Sequence, residues 1–222
     1  MSVGIAVAFD RGALLVADGR SVTPLAPGND VQNDAIKLHE LPGAFGAVVF
    51  GIQQASDLAV PYLRNRIGGI RTLAALEAAV RDATQAAWSC FAAHLAPDVD
   101  RSHPAMRVAL VVGGLIGAKP VLAGAIASDG GPASTSGEGP GSYIVLGGED
   151  QDAMARFARL TANTFHRRNR LENPGDERQL IEALVHNAEA VIREVENFNP
   201  TVGGIIHYAV VGRGSFRVIT LP

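Results

Sequence analysis

Ser2, Asp18 and Lys37 are the residue types from which the start of this chain could build a nucleophile. A hydroxyl residue directly follows Met1, and an apolar stretch begins immediately after it. If Met1 is removed, Ser2 carries both a hydroxyl and a free α-amine. Such an amine has a reference pKa of about 7.7–8.0, which suits a general base near neutral pH. A nucleophile and its base would then reside on one residue, although Met-Ser is also a common way for a protein to begin.

Lys37 is notable because the chain contains only two lysines among its 19 basic residues, the other being Lys119. An ammonium is a compact charge whose pKa shifts readily, whereas a guanidinium stays charged and planar. We expect Lys37 to lie in a largely apolar strand, where a buried cation needs a partner. Asp18, at the end of an expected strand, could be that partner or could simply cap a turn. A charged Lys37 would lower the pKa of a nearby amine and keep that amine neutral.

Apolar patterning predicts the elements that would position these residues. We expect strands over 2–9, 13–18, 35–41, 44–51, 106–112, 120–126, 143–146, 205–211 and 216–221, and helices over 53–67, 72–96, 150–168 and 176–196. Gly, Pro and Ser signals predict loops over 19–33, 97–104 and 129–141, the last of them mobile. Strands and pairs of helices therefore come in blocks. This order predicts an α+β fold, a four-layer α-β-β-α sandwich of two antiparallel sheets, formed as a single domain over 1–222.

The composition narrows the class of protein. The chain has 222 residues, is 47% hydrophobic and carries a formal charge of −3, as expected of one compact domain with a large core. The near-neutral charge argues against a nucleic-acid partner, and no apolar run has the length of a membrane span. No secretory signal is visible, and the single Cys90 suits a reducing cytosol, so we expect a cytoplasmic protein. The six histidines show no paired metal spacing, and no metal or cofactor is expected.

Four segments in order resemble the opening of proteasome β-subunits and their bacterial homologues, which are N-terminal-nucleophile hydrolases. These segments are 2–5, 12–20, 36–41 and 48–51. The resemblance implies the N-terminal-nucleophile hydrolase fold. It also implies roles for five residues: Ser2 as nucleophile in place of the usual Thr, Asp18 as the buried acid, Arg20 as the basic residue beside it, Lys37 as the catalytic lysine and Gly51 as the oxyanion N–H donor.

The chain departs from the family pattern around the terminal amine. Ser2 lacks the γ-methyl that restricts χ1 in Thr, so it is less preorganised. Gly148 falls in a stretch where the family has Gly-Ser-Gly, Asn199 where it has Asp, and Val202 where it has Ser. The proton network that fixes the amine is therefore altered, and we expect weak or substrate-limited activity.

The resemblance also implies a substrate and an assembly. Residues at the positions that border the family's specificity pocket indicate a small or neutral preference: Ser21, Ala35, Val49 and Gln53. The implied function is a self-compartmentalising peptidase acting on peptides or unfolded proteins in homo-oligomeric stacked rings. A tetradecamer is favoured over a dodecamer, and an ATPase unfoldase is a candidate partner. Two alternatives stay open, a catalytically weak or inactive ring-forming scaffold subunit and a small-molecule amidohydrolase on the same fold.

Overall fold

Two five-stranded antiparallel sheets form the centre of the computed structural model, which describes residues 2–23, 30–101, 106–147, 151–169 and 176–221. The strands are β1 (Val3–Phe9), β2 (Gly12–Asp18), β3 (Ser21–Thr23), β4 (Asp30–Gln32), β5 (Leu38–Leu41), β6 (Phe45–Gly51), β7 (Val108–Ile116), β8 (Lys119–Ser128), β9 (Gly131–Glu138), β10 (Tyr143–Gly147), β11 (Ile206–Gly212) and β12 (Ser215–Thr220). The helices are α1 (Gln53–Ile67), α2 (Leu73–Ala92), α3 (Gln151–Asn169) and α4 (Glu177–Phe198). One sheet has the order β10-β1-β2-β11-β12 and the other β5-β6-β7-β8-β9.

The β1–β2 hairpin is buried on both faces because it lies in the middle of the sandwich. Ile5 and Val16 contact the apolar side of α3 and α4, whereas Ala6 and Ala17 face the second sheet. Successive strand residues point to opposite faces, so burial of both faces requires the continuous apolar runs seen in the sequence. The hairpin therefore fixes both ends of the segment from Ser2 to Asp18.

Each sheet carries one helix pair on its outer face. Helices α1 and α2 pack against the second sheet, and α3 and α4 pack against the first. The N-terminus of α2 is capped by Thr72, whose hydroxyl accepts the Ala75 N–H. Helix α4 buries one apolar stripe, formed by Leu180, Leu184, Ala188, Val191, Ile192 and Val195. The predicted four-layer α-β-β-α sandwich is confirmed. Within the described residues no helix is long and apolar enough to cross a membrane.

The expected mobile loop over 129–141 is wrong in its central part. Residues Gly131–Glu138 form β9, which pairs with β8 from Val121↔Glu138 to Ser128↔Gly131 at the edge of the second sheet. Small polar residues suit an exposed edge strand. Ser134 and Ser136 also donate hydrogen bonds to the two carboxylate oxygens of Glu77 on α2, at 2.8 and 2.7 Å. The glycine and serine content predicted a loop here. Pairing with β8 and the two hydrogen bonds to Glu77 instead hold this segment as a strand.

Two boundaries near the N-terminal constellation also differ from prediction. The expected loop over 19–33 contains a small hairpin, in which Ser21 pairs with Gln32 and Thr23 with Asp30; residues 24–29 lie outside the described residues. The strand expected from residue 35 begins only at Leu38, so Lys37 lies one residue before β5. The backbone carbonyl of Lys37 still accepts the Val49 N–H at 3.0 Å, which holds Lys37 in line with the sheet.

Candidate active site

Lys37 lies at the centre of a cluster that brings together Ser2, Asp18 and Arg20. Its Nζ donates to Ser2 Oγ at 2.6 Å and to the Arg20 carbonyl oxygen at 2.6 Å. The same Nζ lies 3.3 Å from Asp18 Oδ1. An ammonium has three N–H donors, and here each has an acceptor. The Lys37 side chain is only 10% exposed, so these contacts lie largely out of water.

Asp18 is fully buried at the end of β2 and is held by backbone donors as well as by Lys37. Its Oδ1 accepts the Val3 N–H at 2.9 Å, and its Oδ2 accepts the Gly203 N–H at 3.2 Å. Burial raises the pKa of Asp18, while the Lys37 charge and the two N–H groups oppose that rise. Burial likewise lowers the pKa of Lys37, against the Asp18 charge. The two side chains therefore depend on each other to stay ionised.

The side chain of Arg20 ties this cluster to the segment between α4 and β11. Its guanidinium donates to Asn33 Oδ1 at 2.9 Å, to the Pro200 carbonyl at 3.0 Å and to the Val202 carbonyl at 2.8 Å. A fourth bond, of 2.9 Å, reaches Glu196 Oε1. The planar guanidinium can make all four at once, which an ammonium could not. Arg20 thus joins the cluster through its carbonyl and through its side chain.

Asn199 and Val202, which were expected near the terminal amine, have side chains that make their contacts outside the cluster around Lys37. Asn199 is the C-cap residue of α4, and its Oδ1 accepts from Thr201 N at 3.1 Å and Thr201 Oγ1 at 2.6 Å. Val202 is fully buried in the apolar cluster beneath α4. Gly148 lies outside the described residues. The Asn199 oxygen is therefore engaged in a local turn, and Val202 contributes packing.

Gly51 ends β6 with φ 108°, a conformation that favours glycine. A Cβ at this position would lie 2.1 Å from the Arg107 carbonyl oxygen. The preceding Phe50 packs across the sandwich against β1. Its ring lies so close to Gly4 that a Cβ there would be 2.4 Å from a ring carbon. This places the end of β6 beside the start of β1, where Ser2 lies.

The four expected pocket residues occupy different environments. The Ala35 N–H donates to the Gly19 carbonyl at 2.8 Å, next to Arg20, and Ser21 opens the small hairpin. Val49 is 3% exposed and packs among the residues facing α1 and α2. Gln53 begins α1, and its side chain lies outside the described residues. Their contact with a substrate stays a prediction.

Sequence reasoning missed Asn33, Arg193, Glu196 and Gly203 as parts of this cluster. Arg193 and Glu196 stand three residues apart on one helix, a spacing at which side chains interact. That local signal marks an ion pair but carries no information about Arg20, which lies far away along the chain. The Gly203-Gly204 pair was visible as glycines, and only the fold reveals that the Gly203 N–H meets Asp18.

Two face-to-face antiparallel sheets between two helix pairs form the N-terminal-nucleophile hydrolase fold. Three solved structures with this fold are similar to the chain. The Anbu complex from Pseudomonas aeruginosa, described as a helical assembly, is 18% identical with a TM-score of 0.65, over 99% of this chain and 86% of that one. Anbu from Yersinia bercovieri, described as an ancestral β-subunit, is 13% identical with a TM-score of 0.64, over 98% and 87%. Anbu from Hyphomicrobium sp. strain MC1 is 16% identical with a TM-score of 0.58, over 99% and 86%.

At these identities the likeness concerns the fold. No family model matches the sequence, and no curated protein matches it. The chemistry of the site must therefore be argued from this chain's own residues.

Proposed function

We propose that this chain is a proteasome-like peptidase in which Ser2, freed by removal of Met1, is the nucleophile. One observation supports this proposal above all others: Lys37 Nζ lies 2.6 Å from Ser2 Oγ while it pairs with the buried Asp18. If Lys37 only neutralised the buried Asp18, it would not have to lie against the hydroxyl of Ser2. An oriented cation beside the Ser2 hydroxyl supports a role for Ser2 as an activated nucleophile.

The hydrogen bonds of Lys37 support the α-amine of Ser2, and not Lys37, as the base. Lys37 donates all three of its N–H groups, so as an ammonium it accepts no proton from Ser2. The Ser2 Oγ to Arg20 carbonyl distance is 3.5 Å, which is long for an O–H···O bond. The α-amine of Ser2 is then the base, and the nearby Lys37 charge lowers the pKa of that amine.

The reaction follows from these assignments. The α-amine takes the Oγ proton as Oγ attacks the peptide carbonyl carbon, and the carbonyl oxygen becomes an oxyanion that the Gly51 N–H stabilises. The amine then passes its proton to the leaving nitrogen as the C–N bond breaks, which gives an acyl ester on Ser2. Water hydrolyses the ester, with the same amine as base, and restores Ser2.

The proposed function includes an assembly and a location. The Pseudomonas aeruginosa structure is described as a helical assembly, and we infer a homo-oligomer here too, acting on peptides or unfolded proteins in the cytoplasm. Stacked rings of fourteen or twelve subunits and an ATPase unfoldase partner remain predictions from the resemblance. Sedimentation or light scattering of the purified protein tests the assembly, and a monomer at micromolar concentration contradicts it.

A second candidate, a non-catalytic assembly subunit, is favoured by the residues around the amine. The Asn199 oxygen accepts from Thr201, and Val202 is an apolar core residue, so neither supplies the side-chain acceptor that the family has at these positions. Under this candidate Met1 stays attached, or Ser2 is free and unreactive. The small-molecule amidohydrolase differs from the peptidase only in substrate, and turnover of peptides against small amides separates them.

Intact mass and covalent labelling test the peptidase proposal. We expect the cell-purified protein to have lost the mass of Met1, and a peptide aldehyde or boronate to modify Ser2. Ser2→Ala and Lys37→Ala should abolish labelling, and Ser2→Thr should retain or raise it. Lys119→Ala, which removes the exposed lysine on β8, is the matched control and should label normally. Retained Met1, or full labelling of Lys37→Ala, would overturn the proposal.

A further inference from the structure

Glu196, in the last turn of α4, uses both carboxylate oxygens on two arginines. Its Oε1 accepts from Arg20 Nη2 at 2.9 Å, and its Oε2 accepts from Arg193 Nη1 at 2.9 Å. About a quarter of the Glu196 side chain is exposed. Although burial opposes the effect, the bonds and charges of Arg193 and Arg20 hold the pKa of Glu196 below its usual value. We call these three residues, Arg20, Arg193 and Glu196, the arginine bridge.

The arginine bridge secures the segment from Asn199 to Ile205. Arg20 Nη1 bonds to the carbonyls of Pro200 and Val202, and Arg193 Nη1 bonds to the carbonyl of Gly204 at 3.0 Å. Every second carbonyl of the segment is therefore held by one of two arginines that share one carboxylate. Charge-assisted bonds of this kind are stronger and more directional than neutral ones.

Gly203 lies directly against the Glu196 carboxylate. Its φ is 121°, and a Cβ there would lie 2.1 Å from Glu196 Oε1. The close approach requires glycine at this position, because any side chain would displace the carboxylate. The same Gly203 donates its N–H to Asp18 Oδ2, and its carbonyl accepts the Arg20 N–H at 2.9 Å. One residue thus contacts both the bridge and the buried acid.

Arg20 connects the bridge to the nucleophile by a second path. Its side chain bonds to Glu196, and its carbonyl oxygen accepts from Lys37 Nζ at 2.6 Å. A shift of Arg20 would therefore move an acceptor of the lysine that contacts Ser2. The two paths, through Gly203 to Asp18 and through Arg20 to Lys37, both begin at Glu196.

Resting on the proposed function, we propose that Glu196 is a positioning residue: with Arg193 it fixes Arg20 and the 199–205 segment, and so keeps Lys37 and Asp18 aligned on Ser2. Within the described part of this segment, the Asn199 oxygen accepts from Thr201 and Val202 packs in the apolar core. The carbonyls that the two arginines of the bridge hold therefore set the position of the segment. Glu196 touches no reacting atom, and its effect reaches Ser2 only through Arg20 and Gly203.

The two lysines of the chain allow a test that does not depend on catalysis. Reductive methylation followed by mass spectrometry compares the buried Lys37 with the exposed Lys119 in the same sample. In the wild type we expect Lys37 to react at least about tenfold more slowly than Lys119, because modification requires local opening. In Glu196→Ala the difference should fall to about threefold or less, while thermal melting shows the chain still folded.

Glu194→Ala is the matched control, since Glu194 lies on the same helix and its ion pair with Arg156 is half exposed and remote from Lys37. It should leave Lys37 protection unchanged. Arg193→Lys keeps a cation beside Glu196 and should retain protection that Arg193→Ala loses. If Glu196→Ala does not fold, Glu196→Gln, which keeps the shape but loses the charge, decides the question.

Ser2 labelling with the boronate supplies the second readout. If the wild type labels, Glu196→Ala should slow labelling by about tenfold and shift its pH profile, because the Lys37 charge no longer sits correctly beside the amine. If the wild type does not label, the proposed function fails. The protection of Lys37 from methylation then still tests the positioning role of the arginine bridge. Unchanged Lys37 protection in folded Glu196→Ala and Glu196→Gln would overturn the positioning role.

Discussion

The Asp18–Lys37 pair is the feature of single residues on which the site depends. Asp18 is fully buried, and its carboxylate receives two backbone N–H groups and one ammonium. Such a pair adds little to stability compared with apolar residues of the same size, but loss of one partner leaves an uncompensated charge. The pair therefore agrees better with the role proposed for the Lys37 ammonium at Ser2 than with a contribution to stability.

Lys37→Met tests that dependence on the scale of stability. We expect it to lower the free energy of unfolding by about 3–5 kcal/mol, because Asp18 is left buried and unpaired. Lys37→Met combined with Asp18→Asn should recover part of that loss, since no charge then remains but the amide oxygen accepts only one of the two backbone N–H groups. Urea denaturation measures both, and Lys119→Met is the control expected to be neutral. If the double variant were less stable than Lys37→Met, the buried charge would not be the source of the loss.

His207 is a second single residue of interest, because it should make the free energy of unfolding depend on pH. It is 4% exposed on β11, where Nδ1 lies 3.2 Å from Thr220 Oγ1, and Lys37 and Asp34 are the charged groups that act on it. Burial lowers its pKa below the usual 6.5. The unfolded chain therefore takes up the proton first as pH falls below 6.5. Stability should drop by up to about 1.4 kcal/mol per pH unit between 6.5 and the folded pKa, and not above 6.5.

His207→Gln should flatten this part of the stability profile. Urea midpoints measured from pH 7.5 to 5.0 give the slope, and His94→Gln, which removes an exposed imidazole, should keep the slope of the wild type. His39 also has its pKa lowered, chiefly by burial, so some slope remains in His207→Gln. Identical slopes in the wild type and His207→Gln would show that His207 is not buried in its neutral form.

Among the elements, β9 is a strand that the amino-acid composition of its segment does not predict. We expect the backbone amides of Gly131–Glu138 that face β8 to exchange slowly with solvent, and their outward-facing neighbours quickly, because only one side of an edge strand is paired. Hydrogen exchange read by NMR measures this alternation. The exposed turns after α2, over 93–101, serve as the fast-exchanging reference. Uniformly fast exchange throughout β9 would restore the mobile loop that the sequence indicated.

The elements also show where sequence reasoning works. Helix α1 runs over Gln53–Ile67 as predicted, since the change from strand to helical periodicity after Gly51 is sharp. The hairpin β1–β2 follows equally from two apolar runs around Asp10-Arg11. By contrast, β9 was missed because strand pairing, not composition, makes it a strand. Glu196 was missed because its partner Arg20 lies 176 residues away along the chain, and no local pattern records such a contact. Arg193 was missed with it, since its own partners, Glu196 and Gly204, carry no sign of the cluster around Lys37.

At the scale of the whole molecule, the site depends on how closely the two sheets approach. In the first sheet Ser2 directly precedes β1 and Asp18 ends β2, whereas in the second Lys37 directly precedes β5 and Gly51 ends β6. Small residues line the space between the sheets, among them Ala6, Ala13 and Ala17. The distance of Lys37 Nζ from Ser2 Oγ is therefore set by the packing of one sheet on the other.

Gly113 on β7 lies at one of the close approaches between the two sheets. A Cβ there would lie 2.8 Å from Ala13 Cβ and 3.1 Å from Leu15 Cδ2, both on β2 of the other sheet, so Gly113→Ala forces the sheets apart. We expect a loss of about 1–3 kcal/mol in the free energy of unfolding, the usual cost of overpacking. Gly69→Ala is the control, because a Cβ there has nothing within 4 Å. It should be neutral or stabilising by up to about 1 kcal/mol. Urea denaturation compares the two, and slower labelling of Ser2 in Gly113→Ala but not in Gly69→Ala would accompany the loss. Equal stability of the two variants would mean that the space between the sheets accommodates an added methyl group at Gly113. Sheet spacing would then not set the Lys37–Ser2 contact.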